Sequence, residues 1–481
     1  MLWWSCYYRN MTTSYSYIQY KQRTMMYSKI KIMLMLFLTG VYLVKGQNIQ
    51  MYFPYFSGKS YELIIFQGAE QKVIIKGIIP REGKFTLTIP KEYAPYTGMS
   101  RWLITGTKEG GGLDMFIPGK DFSVSSEAPV PDEQNIIYSG NIRNKDLNDL
   151  YRTQNNIMQR YEIMQKAIKL YSQSDKNYNV FKEEAEKQQK AYESFQNNLK
   201  EKSDYISHFV PILNLPDGKG TRLFEKEEDR VDHIARYIAE DLDWEVLYTS
   251  GYWNRIVDTW VSIHLQLLKD KERFTREFKK ISSRIRIPKN YMEFVERVAY
   301  NLNLNGEDEY IGAIAPQVSS SDKITSYKGP LAVFIKGVIG SKAPDLVLSG
   351  YVTGAGDVSK ASRLKMDKQT SPAFDSSLIV FYQSDCKNCT DLLQQLSEHY
   401  ADLRAKGIRV IAISADRDSE VFKSKAQSFP WKDNTYCNYK GVEGDNFQNY
   451  GVSGVLTLVW VDNNGKILSR GSSFSLLNNT N

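Results

Sequence analysis

The sequence predicts a multidomain α+β chain: an N-terminal small antiparallel β-sandwich, a central helical bundle and a C-terminal α/β domain. Three observations carry this. At 481 residues the chain is too long for one hydrophobic core. Near residue 143 its apolar pattern changes from short β-branched runs to helical spacing, and after about residue 341 buried-strand runs return. Finally, Leu378-Ile-Val-Phe381 runs into Cys386-Lys-Asn-Cys389, which opens a stretch with Leu392, Leu393, Leu396 and Tyr400 at helical spacing. Strand, CxxC and helix in that order are the sequence form of a thiol–disulfide exchange site.

Composition narrows the function classes. Hydrophobic residues make up 42% and charged residues 24%, which is ordinary for a globular protein. The formal charge of +7 is concentrated at the start, where Arg9, Lys21, Arg23, Lys29, Lys31 and Lys45 stand without an acid. Setting those six aside leaves 56 basic and 55 acidic side chains, so no general attraction to nucleic acid follows. His208, His233, His264 and His399 are scattered, none at metal-ligand spacing, and neither a metal nor another cofactor is implied.

Residues 1–46 read as a leader and signal peptide. The uncharged apolar run 33–44 is short for a bilayer span and follows Lys29 and Lys31; Gln47 is the expected mature start. An uncleaved membrane anchor is the alternative. The expectation is an exported protein of the periplasm or cell envelope, keeping Cys386, Cys389 and Cys437 in an oxidising compartment.

Residues 47–142 form the sandwich domain. Short β-branched and aromatic runs at 61–66, 72–76, 84–89, 101–105, 114–117, 122–124 and 136–138 are separated by Gly and Pro. Gly110-Gly-Gly112 lacks the surroundings of a phosphate loop and reads as a hairpin turn. Residues 143–310 form the helical domain. Leu147, Leu150, Ile157, Tyr161, Met164, Ile168 and Tyr171 mark one long helix, and Phe181, Ala185, Tyr192, Phe195 and Leu199 a second, antiparallel to it across a polar break at 172–179. Further helical faces run from Val231 to Leu242, from Trp253 to Leu268 and from Pro288 to Leu302. Residues 311–340 are expected to be a linker, and 341–481 the last domain. There Ile408-Arg-Val-Ile-Ala-Ile-Ser414 is a second buried strand, 417–428 a helix, and Asn434-Thr-Tyr-Cys437 a strand end. Two final strands are joined by the turn Asp462-Asn-Asn-Gly465.

The last domain resembles the thioredoxin-like fold, in particular exported TlpA-like thiol–disulfide oxidoreductases. The resemblance lies in Lys342-Ala-Pro-Asp-Leu-Val-Leu348, the stretch from Phe381 to Cys389, Val410-Ile-Ala-Ile-Ser414 and Tyr450-Gly-Val-Ser-Gly-Val-Leu-Thr-Leu-Val459. It implies that Cys386 attacks and Cys389 resolves, with protein thiols or disulfides of the envelope as substrates and a further protein as electron donor or acceptor. It also implies that Val455, Leu456 and Thr457 form the loop facing the substrate. Lys387 favours the Cys386 thiolate and Asp385 opposes it, which leaves the helix start as the main influence.

The sequence departs from that pattern at three places. Asp385 precedes the CxxC where thioredoxins commonly carry Trp. Val380 stands where the family buries an acid, and Asp391 is only a weak substitute. Leu456 stands where the family has a cis-proline; a non-proline cis bond costs about 2.5–4 kcal/mol, so a trans peptide is expected there. The CxxC therefore admits redox exchange, a static disulfide or half of a zinc site. Cys437 reads either as a buried small apolar residue or as a third redox thiol. The alternative to an oxidoreductase is a non-catalytic envelope scaffold with a degenerate domain. The chain has little sequence after Arg470 for a closing helix, so the helical domain is expected to cover one face of the last sheet.

Overall fold

The computed structural model describes residues 46–107, 110–367, 374–452 and 454–473. Residues 1–45, with the apolar run of the expected signal peptide, and the last eight residues lie outside these.

Strands β1 (Gln47–Tyr52), β2 (Ser60–Gln67), β3 (Glu70–Ile78), β4 (Lys84–Ile89), β5 (Thr97–Thr105), β6 (Gly112–Pro118), β7 (Phe122–Ser125) and β8 (Ile137–Ser139) come first. Among the described residues they make two four-stranded sheets, β4-β1-β7-β8 and β3-β2-β5-β6. Ile49, Met51, Leu63, Ile65, Trp102, Met115 and Ile117 fill the space between them. The sandwich is antiparallel except for the parallel pair β1–β7. The sequence runs named above omit β1, because only Ile49 and Met51 alternate with polar residues there. Gly110 and Gly111 take positive φ (64° and 129°) where β5 turns into β6, the turn expected of the triple glycine.

In the sheet β3-β2-β5-β6 the strands β2, β5 and β6 carry buried residues on both faces, while the edge strand β3 stays largely exposed. Ile64, Phe66, Met99 and Phe116 point away from the sandwich and join the core of the helical region, with Phe209, Trp253 and Leu247 among its members. Hydrogen bonds cross the same seam: Phe116 N donates to Asn144 Oδ1 at 2.7 Å, and Met99 N to Thr249 O at 2.9 Å. This is why Leu63 to Phe66 form an unbroken apolar run rather than an alternating one.

The first helix, Arg143–Leu170, and the second, Tyr178–Lys200, pack side by side, joined inside by Gln196 Nε2 donating to Gln154 Oε1 at 2.8 Å. Helices Glu227–Glu240, Trp253–Ser262, Lys271–Arg284 and Pro288–Leu304 enclose an aromatic core; Pro288 occupies a first-turn position where its missing N–H costs nothing. The expected linker is instead structured. Asp308–Ser319 is a helix with Pro316 inside it, and Gly329–Phe334 is a short 3₁₀ segment. Ile311, Ile314, Val318, Leu331, Val333 and Phe334 are buried in the helical core. Ala315-Pro316 and the serines suggested a break, but burial of these apolar residues outweighs the local penalty.

The last domain begins with β9 (Leu346–Val347), β10 (Val352–Thr353) and β11 (Arg363–Leu364). Its main sheet adds β12 (Ser376–Tyr382), β13 (Ile408–Ser414), β14 (Thr435–Cys437), β15 (Thr457–Asp462) and β16 (Ile467–Gly471). The order is β10-β14-β13-β12-β15-β16. β12, β13 and β14 are parallel, and β15 and β16 return antiparallel. One face, with Leu378, Val380 and Trp460, is covered by Leu392, Leu393, Leu396 and Phe422 from the helices Lys387–Glu398 and Ser419–Ala426. The other, with Ile379, Phe381, Ile411 and Val459, is covered by Leu346, Leu348, Tyr351, Phe447 and Tyr450. Thus the domain's own residues 343–351 and 447–452 close that face. The expectation that the helical domain would cover it is corrected: the helical region meets this domain at β16 and the turn after Asn449.

Candidate functional site: a dithiol at a helix N-terminus

β12 delivers the chain to the carboxyl end of the sheet, and the helix Lys387–Glu398 starts five residues later. Cys386 is the N-cap of that helix, with φ −77° and ψ 117°, and its Sγ accepts a hydrogen bond from Cys389 N at 3.2 Å. Cys386 and Cys389 form a disulfide with Cα atoms 5.2 Å apart. Cys386 is partly exposed and Cys389 fully buried, an asymmetry that gives one sulfur to solvent and keeps the other for the interior. Once reduced, Cys386 lies where unpaired helix N–H groups and the macrodipole favour a thiolate. Asp385 and Lys387 are both exposed beside it.

The substrate-facing loop of the sequence reading comes to this place. Thr457 pairs with Phe381, so Leu456 stands at the sheet edge from which the CxxC departs. Leu456 shares a buried cluster with Cys389; Cys386 and Val455 pack against that cluster. Thr457 is buried, with its Oγ1 donating to Gly454 O at 3.4 Å. The peptide between Val455 and Leu456 is cis, which corrects the trans expectation. The preference for trans is local, whereas here the Leu456 side chain is fixed in the cluster and Thr457 in the sheet register.

At the loop that leads into the dithiol lies a polar group the sequence reading missed. Asp416, just past β13, is buried. Its carboxylate accepts from Ser384 N at 3.0 Å, Ser384 Oγ at 2.6 Å and Ser414 Oγ at 2.6 Å. It thereby holds the loop that carries Cys386 to the end of the neighbouring strand. Asp391, the weak substitute considered from sequence, is exposed; the buried acid at this end of the sheet is Asp416. The only signal was a Ser-x-Asp directly after an apolar strand, which an ordinary turn would also show. Tyr382 is buried there too, its phenol pushed up by burial and then by the Asp416 charge.

Cys437 ends β14 at the same sheet edge and is fully buried in the cluster that holds Cys389. Its thiol donates to Asp416 O at 3.3 Å and its sulfur accepts from Tyr439 N at 3.4 Å. Burial, chiefly, pushes it up to about 11.

Residues 375–467 match a family model described as thioredoxin-like. This segment is a thioredoxin-like domain. Human nucleoredoxin is 30% identical over 95 residues, 19% of this chain and 22% of that protein; zebrafish (Danio rerio) nucleoredoxin is 29% identical over 121 residues, 24% and 29% respectively. The chain thus spans under a third of the length of these curated relatives. Among solved structures, a thiol-disulfide oxidoreductase from Bacteroides fragilis aligns over 29% of this chain and 95% of its own, at 18% identity and TM-score 0.24. A thioredoxin-like protein from Bacteroides caccae aligns over 53% and 94%, at 15% identity and TM-score 0.34. In the thioredoxin-like domain of this chain, the dithiol, the 455–457 loop and Asp416 converge on one end of the sheet.

Proposed function

We propose that the chain is an exported thiol–disulfide oxidoreductase that exchanges disulfides with proteins of the periplasm or cell envelope. One observation carries the reading: a Cys386–Cys389 disulfide at a helix N-terminus, with the first sulfur accessible and the second buried. In the reducing direction the Cys386 thiolate attacks a substrate disulfide. A bond forms between Cys386 Sγ and one substrate sulfur, and the other substrate sulfur leaves as a thiolate and takes up a proton. Cys389 then gives up its proton and attacks Cys386 Sγ, which breaks the mixed disulfide and releases the second substrate thiol. The substrate has gained two electrons and the enzyme is left as the disulfide. A separate dithiol protein returns it to the reduced form, and the reverse sequence oxidises a substrate dithiol.

The site's residues divide the work. The helix start stabilises the Cys386 thiolate, Leu456 and Val455 shield Cys389, and Asp416 fixes the Ser384 backbone just before the attacking sulfur. The export part of the proposal rests on the apolar run 33–44 behind Lys29 and Lys31.

A Cys389→Ser variant tests the exchange. It removes the resolving sulfur, so mixed disulfides through Cys386 should accumulate in envelope extracts and vanish in a Cys386→Ser, Cys389→Ser double variant. No mixed disulfide, together with no reduction of a protein disulfide by the parent chain, would favour the non-catalytic scaffold.

A further inference from the structure

The helical region closes on one short turn of the thioredoxin-like domain, and that turn leads directly to the dithiol. Asn303 Nδ2 donates to Gly451 O at 3.1 Å. Arg470, on β16, is buried; it donates from Nη1 to Tyr450 O at 2.6 Å and from Nη2 to Gly451 O at 3.1 Å and Asn303 Oδ1 at 3.4 Å. Its Nε lies 3.2 Å from Asp308 Oδ1, so the guanidinium bridges the two regions as a planar fork suits it to do. Gly451 takes φ 60°, and a Cβ there would fall 2.6 Å from Val333 N, so this approach requires glycine.

Past this clasp the chain reaches Gly454. A Cβ there would stand 3.6 Å from Leu304 Cδ1, at the end of the helix Pro288–Leu304. Leu304 is nevertheless 50% exposed. The next two residues, Val455 and Leu456, pack on the cluster of Cys389, with Cys386 at its edge. Thus Leu304 adjoins the start of the loop that leads to the dithiol cluster while offering half of its surface to solvent.

We propose that the helical region is part of the exchange site. Asn303 and Asp308, acting through Arg470, position the substrate-facing loop; Leu304 takes an apolar side chain flanking the target disulfide of an extended polypeptide. This rests on the exchange reading above. What sets Leu304 apart from the other exposed apolar side chains is its place: it adjoins Gly454, two residues before the Leu456 that shares a cluster with Cys389.

The test uses the full chain in its reduced form and two oxidants: a peptide with one disulfide flanked by leucines, and 2-hydroxyethyl disulfide. Single-turnover oxidation of the dithiol is followed by alkylation quench. Leu304→Asp is expected to raise the half-saturating peptide concentration about tenfold, a single interface side chain's worth, and so lower the ratio of peptide to small-disulfide rate constants by the same factor. Leu304→Met should return the ratio to the parent value. Asn303→Ala should lower it roughly three- to tenfold, through the maximal rate rather than half-saturation, because the loop loses its hold. Should Asn303→Ala unfold, Leu304→Asp decides alone, since an exposed leucine tolerates a polar side chain. Unchanged ratios in folded variants would overturn the inference. A parent chain inert toward both oxidants would overturn the exchange reading itself, and this inference with it.

Discussion

Glu277 in the helical region and Asp416 at the loop before the dithiol are both buried carboxylates, but their partners differ in kind. Glu277 accepts from His264 Nε2 at 2.9 Å, Trp260 Nε1 at 3.2 Å and Arg273 Nε at 2.8 Å, and Arg273 goes on to Asp232 at 2.6 Å. Its charge is matched by the Arg273 guanidinium and held by ring N–H groups of His264 and Trp260. The hydrogen bonds to Asp416 come from a backbone N–H and two serine hydroxyls. Its charge is solvated by dipoles, and its field reaches Tyr382 and Cys437, both of which it pushes up in addition to the larger effect of burial. The first arrangement ties helices together through charged and ring donors; the second ties the loop before Cys386 to the end of the neighbouring strand through neutral donors.

The largest expected effect comes from removing Glu277. Glu277→Ala leaves the buried His264 and Trp260 ring N–H groups without their acceptor and takes one of two carboxylates from Arg273, and the cost should be about 3–5 kcal/mol in denaturant unfolding of the helical region. A cost below about 1 kcal/mol would erase the contrast between the two carboxylates. Asp416→Ala should cost less, about 1–3 kcal/mol, since only neutral donors lose a partner. Urea titration followed through both regions would show whether the order is reversed.

Acid offers a third measurement. Burial alone would raise the Glu277 carboxyl, but hydrogen bonds from His264 and Arg273 and the charge of His264 outweigh it, and the carboxyl is held at about 2 against a usual 4.5. A carboxyl depressed in the folded state stabilises it above the unfolded value, and that stabilisation is lost as pH falls through the folded one. Between pH of about 4.5 and 2 the parent should therefore lose stability more steeply than Glu277→Gln. Parallel curves would mean that the ion pair contributes nothing.

The smallest effect concerns Cys437. Its thiol, pushed up to about 11 and fully buried, should resist alkylation at pH of about 8 in the folded reduced protein, while Cys386 reacts. Cys437→Ala should leave peptide-disulfide exchange unchanged. Labelling of Cys437 without denaturant, or a loss of exchange in the variant, would return it to the reactive thiols.

The reactive pair was legible in the chain because its chemistry is local. Cys386 at an N-cap needs only the strand before it and the helix stripe after it, and both appear as runs of apolar residues. The loop 455–457 was legible through resemblance, and its proximity to the pair follows from the Thr457–Phe381 register. What escaped were short or doubly shared elements. β1 shows just two inward apolar residues, and β10 and β11 are two residues each, too short for any period to appear. The supposed linker misled because Pro and Ser signal a break locally, whereas Ile311, Ile314 and Val318 are held by a core built from distant helices.

By itself, the sequence determined the order of structural types and the helix-start dithiol, because each depends on neighbours along the chain; the separate roles of the two sulfurs came from the resemblance. The tertiary structure alone decided which carboxylate holds the loop before that dithiol, how Val455–Leu456 is set, and that the helical region grips the 450–454 turn. Those depend on Asp416, Leu456 and Arg470 meeting partners 32, 67 and 167 residues away or thereabouts, and no local pattern encodes such meetings.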